Sequence, residues 1–451
     1  MSSSRARYLD AAARIGRRLC RDAIWWEGRC NWMGWMMEPH GGQWISVHRA
    51  MSSLVYDGTA GIGLFLARLS LYVDDPILDA TAKGALAQAL TAVDSLSDAG
   101  EYGFYSGLSG IAWSCIDAGT TLSCEALVER GHAALRRTAG LAPKDRRLDV
   151  INGSAGLIPL LLAFAAQDRR GEFLECASRH ADNLLRLASR TAQGWSWDTL
   201  GMPNERHLLG FAHGASGIAY ALATLGKVAE RQDLFAAAKK GLRYERAHFR
   251  VTEGNWPDLR SFAQPGPTGE PPCMLAWCHG APGIGVARLA LHALMPSEPE
   301  LLAEAETAIR TTSATLGHAA PGIGNFSLCH GDSGNADLLI MGSDLLGRPE
   351  LRQPAEAAAD RALDRFEDAG MPWPCGVMGA GETPNLLLGL AGIGHFFLRL
   401  YDSVQVPTVL LPGSLAIAPA RAKPKVTRRS SGARQRPPRK KAALDRGSGR
   451  L

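Results

Sequence analysis

AWCHGAPGIGVARLAL, Ala276 to Leu291, joins a Cys-His pair to a Gly-x-x-Gly step and then to an apolar run. SLCHGDSGNADLL, Ser327 to Leu339, repeats the arrangement about fifty residues later. The step followed by an apolar run occurs seven times, at Gly58/Gly61, Gly107/Gly110, Gly153/Gly156, Gly214/Gly217, Gly280/Gly283, Gly331/Gly334 and Gly389/Gly392. First glycines lie 49, 46, 61, 66, 51 and 58 residues apart, and each interval has room for two helices and their loops. Self-similarity at such a period marks a repeat architecture.

The segments between the steps read as helices of two kinds. DGTAGIGLFLARLSLYV and HGASGIAYALATLGKVA are apolar nearly all round, whereas DLFAAAKKGLRYERAHF and PELLAEAETAIRTTSATL carry charges between helically spaced apolar positions. A helix of the first kind is buried on every side and one of the second keeps a wet face. The pattern predicts an all-α fold, an α/α toroid: a double ring of about seven inner and seven outer helices. Three stretches are expected: 1–50, a helical, Trp-rich segment packed on the ring; 51–411, the toroid; and 412–451, a basic disordered tail. Within the first, WWEGRCNWMGWMM places tryptophans at 25, 26, 32 and 35, expected to be buried against the ring.

Aligned on the first glycine of each step, the preceding position reads Asp57, Ser106, Asn152, His213, His279, His330 and Leu388. One further back stand Tyr56, Tyr105, Ile151, Ala212, Cys278, Cys329 and Leu387. If all inner helices start at one rim, these residues face one another, along with the positive ends of the helices. Cys278, Cys329 and His330 then form a three-ligand set suited to zinc, with the fourth tetrahedral position open as in catalytic sites. His213 and His279 share that register and suit proton transfer, since imidazole titrates near neutrality. Asp149, in LDVINGSAG, is placed to orient such a histidine, or is an ordinary cap; Asp57 reads as a turn or cap residue.

Composition bounds the alternatives. The chain has 451 residues, 46% hydrophobic and 21% charged, enough for a large core. Nine cysteines are too sparse for a disulfide scaffold, and those in helical runs (Cys115, Cys124, Cys176) read as small buried hydrophobes. The apolar runs are too short or too glycine-interrupted to span a bilayer, and the N-terminus lacks the apolar core of a signal peptide, so a cytoplasmic protein without membrane contact is expected. Net charge is +5, but from Arg421 onward there are 12 Lys and Arg against one acid, so the preceding body is six charges negative. Such a tail, 421–451, reads as solvated, with nucleic acid an unfavoured partner. No Walker loop, Rossmann fingerprint or kinase signature occurs.

From Tyr56 to Tyr401 the ordered set YDGTAGIGLFLARL, GFYSGLSGIAW, DVINGSAGLIPLL, GFAHGASGIAYALATLG, AWCHGAPGIGVARLAL, LCHGDSGN and GLAGIGHFFLRLYD resembles the lanthionine synthetase C-like cyclases. It is most similar to the C-terminal cyclase part of class II lanthipeptide synthetases, and with little chain before Tyr56 it suggests a free-standing cyclase. The resemblance implies an α/α toroid with zinc on Cys278, Cys329 and His330, an active-site histidine at His213 and an aspartate at Asp149. His279 stands where some relatives have tyrosine, and Met274 where some have an arginine four residues before the first zinc cysteine. The implied activity is addition of a peptide cysteine thiolate to dehydroalanine or dehydrobutyrine, with His213 as acid, His279 as second candidate and Asp149 orienting. The implied partners are a dehydrated precursor peptide and a separate dehydratase. Addition of a small thiol such as glutathione, or a non-catalytic scaffold for dehydratase and precursor, would use the same fold. A carbohydrate-active α/α barrel would instead need an acidic pair at the rim.

Overall fold

A computed structural model describes residues 3–40, 43–95, 102–201, 206–261, 269–318 and 324–413. The basic tail 421–451 lies outside the described residues. Each Gly-x-x-Gly step opens one helix: α2 (Thr59–Leu69), α4 (Leu108–Thr121), α6 (Ser154–Ala165), α8 (Ala215–Val228), α10 (Ala281–Leu294), α12 (Asp332–Leu346) and α14 (Leu390–Asp402). The first glycine is the N-cap in all seven. The second is required sterically. The chain before each helix doubles back over its first turn. A methyl at Gly61, Gly110, Gly156, Gly217, Gly283, Gly334 or Gly392 would overlap the carbonyl oxygen six residues earlier, that of Leu328 in the case of Gly334. Only Gly280 among the caps has a positive φ, +87°, where a side chain would be strained as well.

Doubling back also caps the helices. Loop carbonyls accept the otherwise orphaned N–H groups: Thr59 donates to Ser52 at 2.8 Å, Ser154 to Arg147 at 3.0 Å, Asp332 to Asn325 at 3.0 Å and Leu390 to Thr383 at 2.8 Å. The helix starts therefore present fewer open donors at the rim than their number suggests.

These seven helices are the inner ring, each packed on the next, with α14 returning to α2. The outer partners are α3 (Pro76–Ser95), α5 (Glu125–Ala139), α7 (Glu172–Leu187), α9 (Gln232–Arg246), α11 (Pro299–His318) and α13 (Gln353–Ala362), each against the inner helix before it. The seventh outer helix comes from the other end of the chain: α1 (Ser3–Arg21) lies along α14. Arg14 pairs with Glu367 at 2.8 Å and Arg18 with Glu382 at 2.9 Å, joining the first helix to the segment between α13 and α14. The double ring of seven and seven is thus a closed α/α toroid.

Among the described residues three short antiparallel ribbons accompany the all-α ring: β1 (Ile24–Trp26) with β2 (Arg29–Asn31), β3 (Met33–His40) with β4 (Gln43–Ala50), and β5 (Ser189–Thr191) with β6 (Gly194–Ser196). The Trp-rich stretch alternates: Trp32, Gly34 and Met36 point inward, while Met33 faces solvent. Burial holds for Trp32, 2% exposed, and in part for Trp35, but fails at Trp25, 46% exposed, and Trp26, 70% exposed, both on the three-residue strand β1.

The ring is not hollow beneath its mouth. After α14 the chain turns inward, burying Val406, Val409 and Leu410. Tyr105, Trp277 and Tyr220 donate to the carbonyls of Val409 (2.6 Å), Leu410 (2.9 Å) and Pro412 (2.9 Å). No helix among the described residues is long and apolar enough to cross a membrane.

Gly334→Ala is expected to lower the stability measured by chemical denaturation by roughly 2–4 kcal/mol, since the clash is with backbone. Gly140→Ala, where an added methyl meets nothing closer than 3.4 Å, is expected to stay within about 0.5 kcal/mol of the parent. Equal effects would refute the steric reading of the repeat.

Candidate metal centre and proton donor

The loops before the inner helices are hydrogen-bonded to one another at the mouth. Tyr56 N–H donates to the carbonyl of Tyr105 and Tyr105 to that of Ile151, while Val150 donates to Ala212. On the other side Cys278 donates to Cys329 at 3.3 Å, Cys329 to Leu387 at 2.9 Å and Leu387 back to Tyr56 at 2.9 Å. Cys278 and Cys329, distant in sequence, are thereby neighbouring rungs.

His330 follows on the same loop, and one ligand atom from each of Cys278, Cys329 and His330 lies within 4.8 Å of the others. The His330 ring is fixed by Nε2, which donates to the carbonyl of Gly376 at 2.9 Å. That bond leaves Nδ1 as the nitrogen available to a metal, the usual division of labour in a ligating imidazole. Gly376 belongs to MPWPCG, read from sequence only as a loop. A methyl there would sit 2.7 Å from Ser327 Oγ and 3.0 Å from Nε2, so a side chain at 376 would displace one or both.

The charges of the two sulfurs are unequal. The hydrogen bond between the sulfurs, then burial, then the Cys329 charge hold the Cys278 thiol well above its ordinary range. The same bond from Cys278 outweighs burial and brings Cys329 down, helped by the hydroxyl of Tyr56, which donates to Cys329 Sγ at 3.0 Å. Two thiols this close, Cys329 buried and Cys278 half-buried, cannot both ionise unless a cation joins them. With an imidazole beside them, the donor set fits a thiophilic metal ion.

The second half of the site is a pair. Asp149 is buried and accepts the amide of Asn152 at Oδ1, 2.7 Å, and His213 Nδ1 at Oδ2, 2.7 Å. His213 keeps 31% of its side chain exposed, and with Nδ1 engaged by Asp149, Nε2 is the nitrogen left for proton exchange. Burial disfavours the imidazolium, but the bond to Asp149 and its charge, with Cys278 nearby, outweigh that and raise the pKa.

His279 differs from His213 in burial and charge. Its ring lies alongside that of His213, centroids 5.8 Å apart, yet it is buried. Burial first, then the charge of Arg260, push it down to about 3, so it is neutral near pH 7. Its Nδ1 is 3.9 Å from the buried carboxylate of Asp258. Asp258 and Arg260, in GNWPDLR, were not singled out from sequence, because nothing local marks them as part of the mouth. Asp57 accepts the hydroxyl of Ser52 at 2.5 Å, as a turn residue should.

The model of the family described as lanthionine synthetase C-like protein matches residues 50–411. The chain belongs to the lanthionine synthetase C-like family. Among solved structures, this LanC-like chain is similar to nisin cyclase, with TM-score 0.59 and 17% identity over 81% of this chain and 93% of that one. It is also similar to a GH76 α-mannanase from Bacteroides thetaiotaomicron, with TM-score 0.46 and 10% identity over 87% and 95% of the two chains. A possible GH105 member from Klebsiella pneumoniae has TM-score 0.46 and 13% identity over 89% and 93%. Membership in the LanC-like family supports a cyclase acting on a peptide.

Elemental analysis of the purified LanC-like protein is expected to find one transition-metal ion per chain, lost in Cys278→Ala or Cys329→Ala and retained in His213→Asn. Because Cys278 is held protonated, metal uptake by the stripped protein should release protons, and affinity should fall as pH is lowered. Metal content indifferent to both cysteine changes would rule out this cluster.

Proposed function

We propose that the protein is a zinc-dependent lanthipeptide cyclase that forms (methyl)lanthionine thioether rings in a dehydrated precursor peptide inside the cell. A separate dehydratase would supply the dehydroalanine or dehydrobutyrine. The observation that carries this reading is the juxtaposition of a thiolate-imidazole cluster with a histidine whose pKa is raised, at one mouth of the toroid.

Cys278, Cys329 and His330 through Nδ1 would hold the zinc, which, when bound, supplies the positive charge that makes a thiol a thiolate at neutral pH. The chain's own residues do the rest. Tyr56 shares its hydroxyl proton with Cys329 and so moderates the charge on the cluster. Attack of a thiolate on the β-carbon forms the C–S bond and moves the π-electrons of the double bond onto the α-carbon and its carbonyl oxygen. His213 is placed to deliver the proton that quenches this carbanion, and Asp149 both keeps Nδ1–H in place and stabilises the imidazolium beforehand. His279, neutral and buried, serves as the wall against which the His213 ring is aligned.

With a dehydrated, Cys-containing peptide, the expected product has unchanged mass and blocked thiols. A mass gain equal to a small thiol would indicate intermolecular addition instead, and no product with any such peptide would leave a scaffold. His213→Asn should keep the metal and lose about 10²–10⁴-fold in rate. In the parent, activity requires protonated His213 and so persists above the ordinary histidine range before falling on the alkaline side. Asp149→Asn removes the interaction that raises the pKa, so this alkaline limb should move to lower pH; an unmoved limb would remove His213 as the acid.

A further inference from the structure

The hairpin β3–β4 has one bare edge. Its register pairs Trp35 with His48, Met37 with Ser46 and Pro39 with Trp44. Which backbone groups point outward follows from the hairpin's open end. Met51 N–H donates to the Trp32 carbonyl at 2.8 Å, so the cross-strand bonds fall on alternate pairs from there: Gly34/Arg49, Met36/Val47 and Glu38/Ile45. The pairs in between turn their N–H and C=O groups away from the partner strand. Pro39 falls in this outward set, where its missing N–H costs no ladder bond. On the β3 side the outward edge is covered, since the Trp35 carbonyl accepts Thr383 Oγ1 at 2.9 Å. On the β4 side the outward groups are those of Trp44, Ser46 and His48, and among the described residues none of these has a backbone partner.

That edge lies close to the metal cluster. Ser46 Oγ donates to the carbonyl of Met378 at 2.5 Å, and two residues earlier in the chain the Gly376 carbonyl holds His330 Nε2 at 2.9 Å. Two residues span at most about 7 Å. Strand alternation puts the side chains of Trp44, Ser46 and His48 on one face, and the apolar groups there are open: Trp44 is 60% exposed and Met378 72%. Open edges recruit other chains and are ordinarily blunted by lysine, proline or a bulge. β4 has none of these; it runs from Gln43 to Ala50 in unbroken register.

We propose that the outer edge of β4 binds the substrate peptide as an added third strand and so leads it to the cluster. The inference deepens the cyclase reading and rests on its claim that the substrate is a peptide. An extended segment exchanges N–H···O=C bonds with Trp44, Ser46 and His48 and lays alternate side chains against Trp44 and Met378. Main-chain pairing gives affinity whatever the side chains, and the apolar strip beside it favours uncharged ones. The occupant is therefore an extended, uncharged stretch flanking the residues that react. A second copy of this chain pairing edge to edge would use the same groups, but nothing ties it to the loop that fixes His330.

The test uses the metal-loaded full chain and a fluorescein-labelled synthetic peptide with one dehydroalanine and one cysteine, flanked on both sides by alternating Val and Thr. In residue-resolved hydrogen exchange the amides of Trp44, Ser46 and His48 should exchange fast in the free protein and slow by at least about tenfold with saturating peptide, while those of Ile45, Val47 and Arg49 are slow in both. His48→Pro removes one outward N–H and no ladder bond. It should weaken peptide binding, read by anisotropy, at least about fivefold and raise KM more than it lowers kcat, with metal content unchanged. His48→Ala keeps the amide and should bind within about twofold of the parent. If His48→Pro does not fold, the exchange measurement on the parent decides. A parent that does not bind the peptide, bound peptide that leaves the three amides unprotected, or a folded His48→Pro that binds like the parent would overturn the proposal. So would a dimer in sedimentation that protects these amides without peptide. Failure of the cyclase reading shows separately, as a parent that binds the peptide and protects the three amides yet forms no ring.

Discussion

The belt of backbone hydrogen bonds around the mouth is the constraint on which the site depends. Cys278 bonds to Cys329, Cys329 to Leu387, Leu387 to Tyr56, and Tyr56 onward to Tyr105 and Ile151. Each such bond contributes only about 1 kcal/mol net, but an unpaired group left buried there costs more, so the register is enforced. A slip of one loop would separate the two sulfurs and displace His330 from Gly376. The glycine pairs serve this belt, since a doubled-back loop over a helix start is possible only where no Cβ intrudes.

Above the belt, the electrostatics divide into two halves. On one side two thiols compete to ionise, leaving a cluster that a cation would complete. On the other, Asp149 keeps a partly exposed imidazole ready to hold a proton. A second imidazole of the same register, His279, is turned inward and silenced by burial and by Arg260. Identical register positions thus acquire opposite protonation behaviour from what surrounds them.

Below the belt, the chain itself fills the ring. The stretch after α14 is pinned by Tyr105, Tyr220 and Trp277, and the charged pairs deeper in the wall are satisfied: Arg288 reaches Glu245 at 2.8 Å and Ser216 at 2.9 Å with none of them open to water. A solid floor gives the mouth rigid support, and α1 closes the outer ring against α14 so that the last repeat is not left with an exposed apolar face.

The helical repeat, the toroid and the residues gathered at its mouth were legible in the sequence because their causes are local. A carbonyl six residues before a glycine excludes a side chain whatever the rest of the chain does, and the residues one and two before each first glycine share a rim once the helices do. The tertiary structure alone decided which of those residues face the opening. Asp258 and Arg260 reach the mouth only because their segment pairs with the one before α10, and Gly376 meets His330 across 46 residues. The conversion of α1 into the seventh outer helix, the short ribbons with their exposed tryptophans, and the filled centre likewise rest on contacts between distant segments. Burial and charge at a position are sums over neighbours brought by the whole fold, and no spacing along the chain carries that sum.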